Sequence, residues 1–485
     1  MNHFDKRNLT LLTDFYEMTM SNGYFEHGLK DLVGYFELFF RKVPDGGGYA
    51  ILAGLEQVIE YIRTLYFDNS DIEYLRSKKI FSEEFLEYLK NFKFTCDVYG
   101  IKEGTPIFPY EPIITVKGPI IQAQLIETML LVTINHQSLI ATKTSRIVRA
   151  AQGRAVLEFG ARRAQGVDAS VYGARAAYIG GVVGTSNTMA DKILGIPALG
   201  TMAHSWVQLF PSEYEAFKAY AESYPDDCTL LVDTFNVLKS GVPNAIKVFD
   251  DVLKPLGKRP KGIRIDSGDI TYLSKNARKM LDEAGYPDCK IVASNSLDEV
   301  IIRDLIIQGA QIDSFGVGER LITSKSEPVF GGVYKLTAIE YNGKFVPKIK
   351  ISENIQKITN PGAKNLYRLF DLDTNKAIAD VITLDYEEID DSKPYEIFDP
   401  QHTWKRQTVT NFRAEKILIP IFINGELVYQ QPSIKEIKDY CVQQLNTLWD
   451  SIVRYENPHE YYVDLSQDLW DLKQEMLHKH HATDN

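Results

Sequence analysis

The stretch GIRIDSGD (residues 262–269) decides the fold, because a short apolar run ends there in a loop of small and charged residues. Six further runs have the same form: RAVLEFGARR (154–163), GGVVGTSN (180–187), IPALGTMAHS (196–205), TLLVDTFN (229–236), KIVASNS (290–296) and IDSFGVGER (312–320). Helix-like segments such as VPNAIKVFDDVLKPL (242–256) fill most of the intervals between them. Strands that alternate with helices in this way predict βαβ units and a parallel sheet.

The polar ends of the seven runs favour one type of parallel sheet. In parallel sheets, ligands bind at the carboxyl ends of the strands, and in an open sheet they bind near one crossover point. Here polar residues end all seven runs. We therefore predict an α/β fold with an irregular TIM-like barrel, in preference to an open doubly wound sheet.

The chain is predicted to have three parts: an N-terminal α/β domain (1–135), the barrel as the catalytic domain (136–330) and a C-terminal α/β extension (331–485). In the first part, VGYFELFFRKV (33–43) predicts an aromatic-rich strand. GLEQVIEYIRTLYF (54–67) has apolar residues at helical spacing and predicts a helix.

The C-terminal extension contains two Asn-Gly pairs between strand-like flanks, in residues 333–352 and 417–433. Asn-Gly in this setting is a strong signal for a β-hairpin. SIKEIKDYCVQQLNTLWDSI (433–452) predicts a helix. The last residues, HKHHATDN (478–485), predict a disordered tail, with metal binding by its histidines as the alternative.

Composition excludes several classes of protein. The 485 residues include 54 Lys and Arg against 65 Asp and Glu, a formal net charge of −11. This balance argues against a nucleic-acid-binding or anionic-membrane-binding surface, although one local basic pocket remains compatible with it. No apolar stretch is long enough for a membrane span, and MNHFDKRNLT (1–10) lacks the apolar core of a secretory signal. Four scattered cysteines without a CxxC pair favour a reducing, cytoplasmic location.

The RIDSGD loop (264–269) carries the most informative side chains. Arg264 and Asp266 are two residues apart at a strand end and therefore point the same way, and Asp269 opens the next helix. A cation beside two carboxylates suits a sugar diphosphate with Mg²⁺. The alternative is a helix N-cap, by Ser267 or Asp269, beside a structural Arg–Asp pair.

Two further loops have the composition of anion sites. Gly316 and Gly318 in GVGER can expose backbone N–H groups to a phosphate, although a tight left-handed turn is the common explanation. EFGARR contributes Arg162 and Arg163, and VYGAR adds Arg175. Guanidinium groups suit carboxylate and phosphate, and the alternative is surface ion pairing with Glu158 or Asp168.

His204 follows a predicted strand end in TMAHS, where a lone histidine is more often an ordinary hydrogen-bonding residue than a catalytic one. Asp233 and Asn236, after the next strand, could orient His204 or a metal. The chain has no HExxH, GxSxG or GxxxxGK[ST] motif, which disfavours zinc hydrolases and Walker-type ATP binding. Near the N-terminus, Asp14 and Tyr16 in TDFYEMTM predict a capped helix with a packed aromatic face.

In their order along the chain, these loops resemble the nicotinate phosphoribosyltransferase family. The segments that carry the resemblance are LLTDFYEMTM, EFGARRAQG, GTSNTMAD, GTMAHSWVQ, RIDSGD, ASNSLDE and SFGVGERL. The resemblance implies a type II phosphoribosyltransferase fold and a homodimer with its active site at the subunit interface. It also implies an ATP-dependent ligase of NAD salvage, which joins nicotinate to phosphoribosyl pyrophosphate (PRPP) and releases pyrophosphate.

The resemblance also implies roles for individual residues. His204 matches the histidine that the family phosphorylates with ATP, and it forms the catalytic group together with Arg264 and Asp266. Residues that match the nicotinate site are Phe159, Arg162 and, from the partner subunit, Tyr16. Residues that match the PRPP and phosphate site are Arg264, Asp266, Asp269, Ser294, Asn295, Gly316 and Gly318. Mg²⁺ is expected as a cofactor, and no metal ligands are assigned.

Ser186 bears on specificity. Relatives that use nicotinamide resemble this segment but have Asp at this position, and a carboxylate accepts from an amide and repels nicotinate. The hydroxyl of Ser186 can donate to the acid and thus favours nicotinate. Three other functions remain open: a nicotinamide or quinolinate phosphoribosyltransferase, a catalytically silent nucleotide-binding regulator, and a barrel aldolase or isomerase that uses Glu158.

Overall fold

The computed structural model describes residues 7–482, apart from the side chains of residues 355 and 480–482. Part of the predicted N-terminus (1–6) and part of the predicted tail (483–485) lie outside the described residues. The helices are α1 (Phe15–Glu26), α2 (Leu55–Arg63), α3 (Asn69–Ser77), α4 (Glu83–Lys90), α5 (Ile120–Leu125), α6 (Glu127–Ala150), α7 (Val167–Ile179), α8 (Thr188–Leu194), α9 (His204–Leu209), α10 (Glu213–Ser223), α11 (Val242–Val248), α12 (Ile270–Glu283), α13 (Glu299–Ile307), α14 (Glu319–Ile322), α15 (Ile434–Asn446), α16 (Asp450–Val453) and α17 (Gln467–Ala482).

The strands form two large sheets, one sheet of intermediate size and two strand pairs. Their bounds are β1 (Val33–Phe39), β2 (Ala50–Ile51), β3 (Asp97–Gly100), β4 (Pro106–Ile107), β5 (Ile114–Pro119), β6 (Ala155–Glu158), β7 (Gly184–Thr185), β8 (Thr229–Leu231), β9 (Gly262–Ile265), β10 (Lys290–Ser294), β11 (Ser314–Val317), β12 (Val333–Tyr341), β13 (Lys344–Pro347), β14 (Lys364–Asp371), β15 (Ala377–Leu384), β16 (Tyr395–Phe398), β17 (Arg406–Val409), β18 (Phe412–Lys416), β19 (Ile419–Ile423), β20 (Glu426–Leu427) and β21 (Val463–Leu465).

The chain divides into two compact units. The outer unit comprises Met1–Leu139 and Val329–Asn485, and the barrel unit comprises Ile140–Pro328. In the outer unit, β1 from the N-terminal part pairs antiparallel with β12 from the C-terminal part. Strands from the predicted domains 1–135 and 331–485 therefore share one sheet.

The barrel unit contains a six-stranded sheet in the order β7-β6-β11-β10-β9-β8, in which every pair is parallel. The first strand along the chain, β6, pairs with the last, β11, as a barrel requires. The type II α/β architecture is therefore confirmed, with the barrel open between β7 and β8.

The gap lies where the sequence predicted a seventh strand, at residues 196–205. That prediction is wrong, because the segment contributes only one isolated bridge, between Ala198 and Thr185. Pro197 has no N–H to donate to a strand ladder, and this disfavours a longer strand there. The other six runs form strands, in which side chains such as Ile263, Ile265, Ile291 and Phe315 are fully buried. Buried and partly exposed residues alternate along β6 and over residues 263–265 of β9.

The outer unit contains a seven-stranded antiparallel sheet in the order β13-β12-β1-β5-β3-β19-β20. The predicted strand at 33–43 and helix at 54–67 are confirmed as β1 and α2. Both predicted hairpins are confirmed as well, because β12 pairs with β13 and β19 with β20. Each turn is an Asn-Gly pair with positive φ at both residues, at Asn342-Gly343 and Asn424-Gly425.

The C-terminal helices differ from the sequence prediction at two places. The single helix predicted at 433–452 is interrupted and forms α15 and α16, with Ser433 and Glu436 making a capping box at its start. The predicted disordered tail is wrong for residues 478–482, because α17 continues to Ala482. No helix within residues 7–482 combines the length and apolar character that a membrane span requires.

A buried ion pair connects two strands of the four-stranded sheet β18-β14-β15-β21. Arg368 and Asp380 are register partners on β14 and β15, and both side chains are completely buried. Arg368 Nε lies 2.8 Å from Asp380 Oδ1, and Nη2 lies 2.7 Å from Oδ2. The Tyr461 hydroxyl donates to Oδ1 at 2.7 Å, and Arg368 Nη2 also donates to the carbonyl of Pro106.

We expect Arg368→Met to lower the free energy of unfolding by about 3–5 kcal/mol, because it leaves the Asp380 carboxylate buried without its cation. The double variant Arg368→Met with Asp380→Leu removes both charges and should recover most of that loss. Urea titration followed by tryptophan fluorescence measures both. Arg76, which pairs with Glu83 at the surface, provides the matched control, and Arg76→Met should leave stability nearly unchanged. A double variant no more stable than the single one would contradict the prediction.

Candidate functional site

Four residues meet at the carboxyl ends of β8, β9 and β10: the predicted site residues Asp233, Asp266 and Ser294, and Ser267. Asp233, beyond β8, accepts at Oδ2 from the backbone N–H of Asp266 at 3.1 Å and from the Ser267 hydroxyl at 2.5 Å. Ser294, the last residue of β10, donates its hydroxyl to Asp266 Oδ1. Asp233 Oδ1 is buried and has no hydrogen-bond partner among the described residues. This edge of the sheet thus holds two carboxylates, one with an unused oxygen.

His204 begins α9 and faces the same carboxylates. Its Nδ1 lies 3.1 Å from the Thr234 hydroxyl, while Nε2 lies 3.7 Å from Asp266 Oδ2 and 4.0 Å from Asp233 Oδ1. The side chain is 40% exposed. Asn236 does not contact the imidazole and instead caps the following helical turn through the Lys239 N–H. Of the two residues that the sequence offered as partners, Asp233 therefore lies near the His204 ring and Asn236 does not. The ring itself is open to solvent.

Arg264, on β9, is the cation of this cluster. Nη1 donates to the Thr201 hydroxyl at 2.6 Å, and Nε is buried without a partner among the described residues. Burial lowers the pKa of the guanidinium, and nearby Arg162 lowers it further, but arginine keeps its proton at any physiological pH. A partly buried guanidinium with an unused donor suits an anionic ligand.

Asp269 lies at the start of α12, where its carboxylate accepts from the Tyr272 N–H at 3.0 Å. It therefore acts as an N-cap, one of the two explanations that the sequence left open for this loop. Beyond β10, Asn295 and Ser296 both have positive φ, of 87° and 45°. Two consecutive left-handed residues are uncommon outside glycine, and they turn the loop after Ser294 sharply.

Gly316 and Gly318 permit close packing around Phe159. A Cβ at Gly316 would lie 2.5 Å from Phe159 Cδ2, and one at Gly318 would lie 3.1 Å from the Phe159 carbonyl oxygen. Neither glycine has a positive φ, so the left-handed turn that the sequence offered as an alternative is wrong. These glycines let the aromatic ring pack directly on the end of β11.

Arginines near the barrel loops are in different environments. Arg162 and Arg163 are exposed in a short helical turn after β6. Arg175 is completely buried in α7, so it adds nothing to an open basic surface. Arg320 pairs with Asp298, the N-cap of α13. Arg162 thus stands near Arg264 with its guanidinium at the surface.

Glu158 and Ser186 lie in neighbouring loops. The Glu158 side chain is fully buried and accepts from the Thr185 hydroxyl at 2.6 Å, so the alternative explanation of a surface ion pair with Glu158 is wrong. Burial also raises the pKa of its carboxyl. Ser186 donates its backbone N–H to the Glu158 carbonyl at 2.8 Å and leaves its side chain exposed.

Tyr16 belongs to the outer unit, on the first turn of α1. The predicted capped helix with a packed aromatic face is wrong, because Asp14 makes no side-chain cap and Phe15 and Tyr16 are 51% and 46% exposed. Burial is the main cause that raises the pKa of the Tyr16 hydroxyl, and the charge of Glu127 raises it further. Glu17 is completely buried, and burial raises its pKa to about 7.

Hydroxyl side chains are the site residues that sequence reasoning missed. Thr234 contacts His204, Thr201 accepts from Arg264, and Thr185 donates to Glu158. Each lies within three residues of a predicted site residue in the same loop, as Thr201 does before His204. A search for neutral partners of the predicted charged residues would have identified them.

Models of one known protein family match this chain in three parts. Models named nicotinate phosphoribosyltransferase match as an N-terminal domain over residues 11–135, as the family over 155–380, and as a C-terminal domain over 363–473. The nicotinate phosphoribosyltransferase of Bacillus subtilis is 47% identical over 478 residues, which cover 98% of this chain and 96% of that protein. The human one is 31% identical over 516 residues, covering 95% of each.

Solved structures agree with these relatives. The crystal structure of human nicotinic acid phosphoribosyltransferase superposes with a TM-score of 0.84 at 28% identity, over 96% of this chain and 100% of that one. A nicotinate-nucleotide pyrophosphorylase from Pyrococcus furiosus shares the fold, with a TM-score of 0.70 at 23% identity over 92% of this chain and 99% of that one. The chain therefore belongs to the nicotinate phosphoribosyltransferase family.

Proposed function

We propose that this enzyme joins nicotinate to PRPP, forms nicotinate mononucleotide and releases pyrophosphate, and so returns pyridine to the NAD pool. The observation that carries the proposal is the cluster at the ends of β8 and β9. There Arg264 has an unused guanidinium donor beside the carboxylates of Asp233 and Asp266. Phosphoryl anions and ribose hydroxyls need this combination of a cation and hydrogen-bond acceptors.

PRPP lies, in this proposal, across the carboxyl ends of β9, β10 and β11. Arg264 neutralises phosphate charge, and Asp266 accepts from ribose hydroxyls. The further groups that hold the ribose and the 5′-phosphate are Asp269, Ser294, Asn295, Gly316 and Gly318. Charge stabilisation of the departing pyrophosphate lets positive charge develop at the anomeric carbon, which the pyridine nitrogen attacks without a covalent enzyme–sugar intermediate.

The residues present fit a divalent cation that arrives with its substrate. Asp233 Oδ1 is a buried carboxylate oxygen that no donor of the described residues reaches, which favours a cation or its bound water nearby. No cluster of three or more His, Cys, Asp and Glu side chains suited to a metal occurs in the described part of the chain. Asp233 and Asp266 would be the residues that hold Mg²⁺, and the bound ion would neutralise negative charge on the departing pyrophosphate.

Nicotinate binds, in this proposal, at the ends of β6 and β7. The pyridine ring packs on Phe159, and Arg162 pairs with the nicotinate carboxylate, which the Ser186 hydroxyl also contacts. Tyr16 of a second copy covers the other face of the ring, so a homodimer contains two complete sites. The exposure of Tyr16 in the single chain supports this role.

His204 couples the reaction to ATP. The γ-phosphoryl group passes from ATP to an imidazole nitrogen, ADP leaves, and water later releases inorganic phosphate from the histidine. The 40% exposure of the ring leaves it accessible to the nucleotide. Phosphorylation at this position adds charge beside the pyrophosphate site and favours product formation.

The decisive assay measures pyrophosphate release with nicotinate, PRPP, Mg²⁺ and ATP, and compares nicotinamide and quinolinate as alternative substrates. Release that depends on nicotinate supports the proposal. Release with nicotinamide or quinolinate alone would assign a different pyridine. Tight PRPP binding by calorimetry without any release would instead identify a regulator.

We expect His204→Ala to abolish acid-labile labelling of the protein by γ-labelled ATP, because His204 is the imidazole that lies against Asp233 and Asp266 and is open to solvent. Nicotinate mononucleotide formation without ATP should persist at a reduced rate. His402→Ala removes an exposed histidine of the outer unit and should label normally. Normal labelling of His204→Ala would contradict the phosphohistidine proposal.

We expect Ser186→Asp to lower kcat/KM for nicotinate by roughly a hundredfold, since a carboxylate at this position repels the substrate carboxylate. The same variant should gain activity with nicotinamide, whose amide can donate to Asp. Ser186→Ala is the matched control, because it removes the hydroxyl without adding charge and should change selectivity much less. Steady-state kinetics with both pyridines measures the effect, and an unchanged ratio would contradict the proposed role.

Complementation tests the proposed dimer. Tyr16→Ala and Arg162→Ala should each be nearly inactive, because each removes one half of the nicotinate site. Co-refolded mixtures form mixed dimers with one intact site, so an equal mixture should recover about a quarter of the wild-type activity. Mixtures that remain as inactive as the two variants would show that Tyr16 and Arg162 do not act across subunits.

A further inference from the structure

Glu158, the last residue of β6, connects two loops of the barrel unit. Its carboxylate accepts from the backbone N–H of Gly160 in its own loop and, at 2.6 Å, from the hydroxyl of Thr185 at the end of β7. Its backbone carbonyl accepts from the Ser186 N–H at 2.8 Å. One residue therefore holds the EFGARR loop and the GTSN loop against each other.

Thr185 extends this connection. Its hydroxyl oxygen also accepts from the Asn187 N–H at 3.0 Å. The Asn187 side chain then caps α8, through the Met189 and Ala190 N–H groups, and donates to the Ser170 hydroxyl on α7 at 3.0 Å. The hydrogen-bonded chain thus runs from the loop after β6 to the first turns of two helices.

The composition of this cluster indicates more than packing. Glu158 and Thr185 are both completely buried, and the two donors to the carboxylate are a hydroxyl and a backbone amide, which are neutral groups. Burial of a carboxyl without a cation is costly, and apolar side chains would fill the same space more favourably. A buried polar network whose members are satisfied fixes one geometry, which is what a binding loop requires.

We infer that Glu158 and Thr185 are positioning residues that set the distance between Arg162 and Ser186 and so determine recognition of the nicotinate carboxylate. This inference rests on the proposed function, in which both residues contact that carboxylate. Neither Glu158 nor Thr185 touches the substrate itself. They act through the Gly160 amide, which precedes Arg162 by two residues, and through the Ser186 amide.

The PRPP half of the site has its own supports. Asp266 is held by Asp233 and Ser294, and Arg264 by Thr201, and none of these contacts involves Glu158 or Thr185. Disruption of the Glu158–Thr185 contact should therefore affect nicotinate more than PRPP. A merely structural role would weaken both substrates alike.

The test compares Thr185→Val with Thr185→Ser in the full-length enzyme. Valine keeps the shape but removes the donor to Glu158 and the acceptor for Asn187, so KM for nicotinate should rise about tenfold while KM for PRPP changes less than about twofold. The preference for nicotinate over nicotinamide should fall with it. Serine retains the hydroxyl and should restore most of the nicotinate affinity.

Two further variants keep the test decisive. Thr271→Val removes another buried hydroxyl of the barrel unit, one that donates to Gln308 at 3.0 Å, and should lower the melting temperature without changing either KM. If Thr185→Val does not fold, Glu158→Gln replaces it, because its amide oxygen can still accept from the Gly160 N–H, while its NH₂ group cannot accept from the Thr185 hydroxyl. Equal rises in both KM values, or an unchanged nicotinate KM, would overturn the positioning role. A wild-type enzyme that releases no pyrophosphate with nicotinate would overturn the proposed function itself.

Discussion

The parallel register of the barrel sheet is the constraint on which the site depends. Backbone pairing sets Ser294 opposite Gly316 and Val317 opposite Glu158. Strand ends that are far apart in sequence therefore lie side by side at one edge of the sheet. Parallel strands all direct their carboxyl ends to one edge, where chain reversals leave room for polar side chains. Asp266 follows β9 by one residue and therefore reaches the Ser294 hydroxyl on β10. The proximity of the charged groups is thus a consequence of the backbone ladder.

The acidic character of the whole chain does not oppose binding of anions at this edge. The net charge of −11 is spread over 485 residues, whereas the site depends on the field within a few ångströms of Arg264. Asp233 and Asp266 act on that guanidinium through their charges, whereas its hydrogen bond goes to the Thr201 hydroxyl, so its Nε has no partner among the described residues. Net charge therefore limits nonspecific binding, while local geometry determines which anions bind.

Local patterns predicted much of this architecture, and long-range pairing accounts for the rest. Apolar runs with polar ends identified six of the strands, and Asn-Gly pairs identified both hairpins, because these signals depend on neighbouring residues. The prediction of a strand at 196–205 was wrong, because the segment with Pro197 makes only one bridge. The sequence of α1 also did not predict that Tyr16 is exposed. Thr185 and Glu158 are 27 residues apart, and nothing in either segment alone indicates that their side chains meet.

Two buried carboxylates of this chain show how their partners decide what a carboxylate can do. Asp380 is satisfied by Arg368 and holds a sheet together, so both charges are used within the fold. Glu158 is satisfied by two neutral donors and is completely buried, so its carboxylate does not reach a cation at the surface. Within residues 7–482, Arg162 consequently has no carboxylate partner and keeps its guanidinium at the surface. Glu158 therefore orders the loop that carries Arg162 without pairing with Arg162. The Arg162 guanidinium stays available to the carboxylate of a ligand from solution.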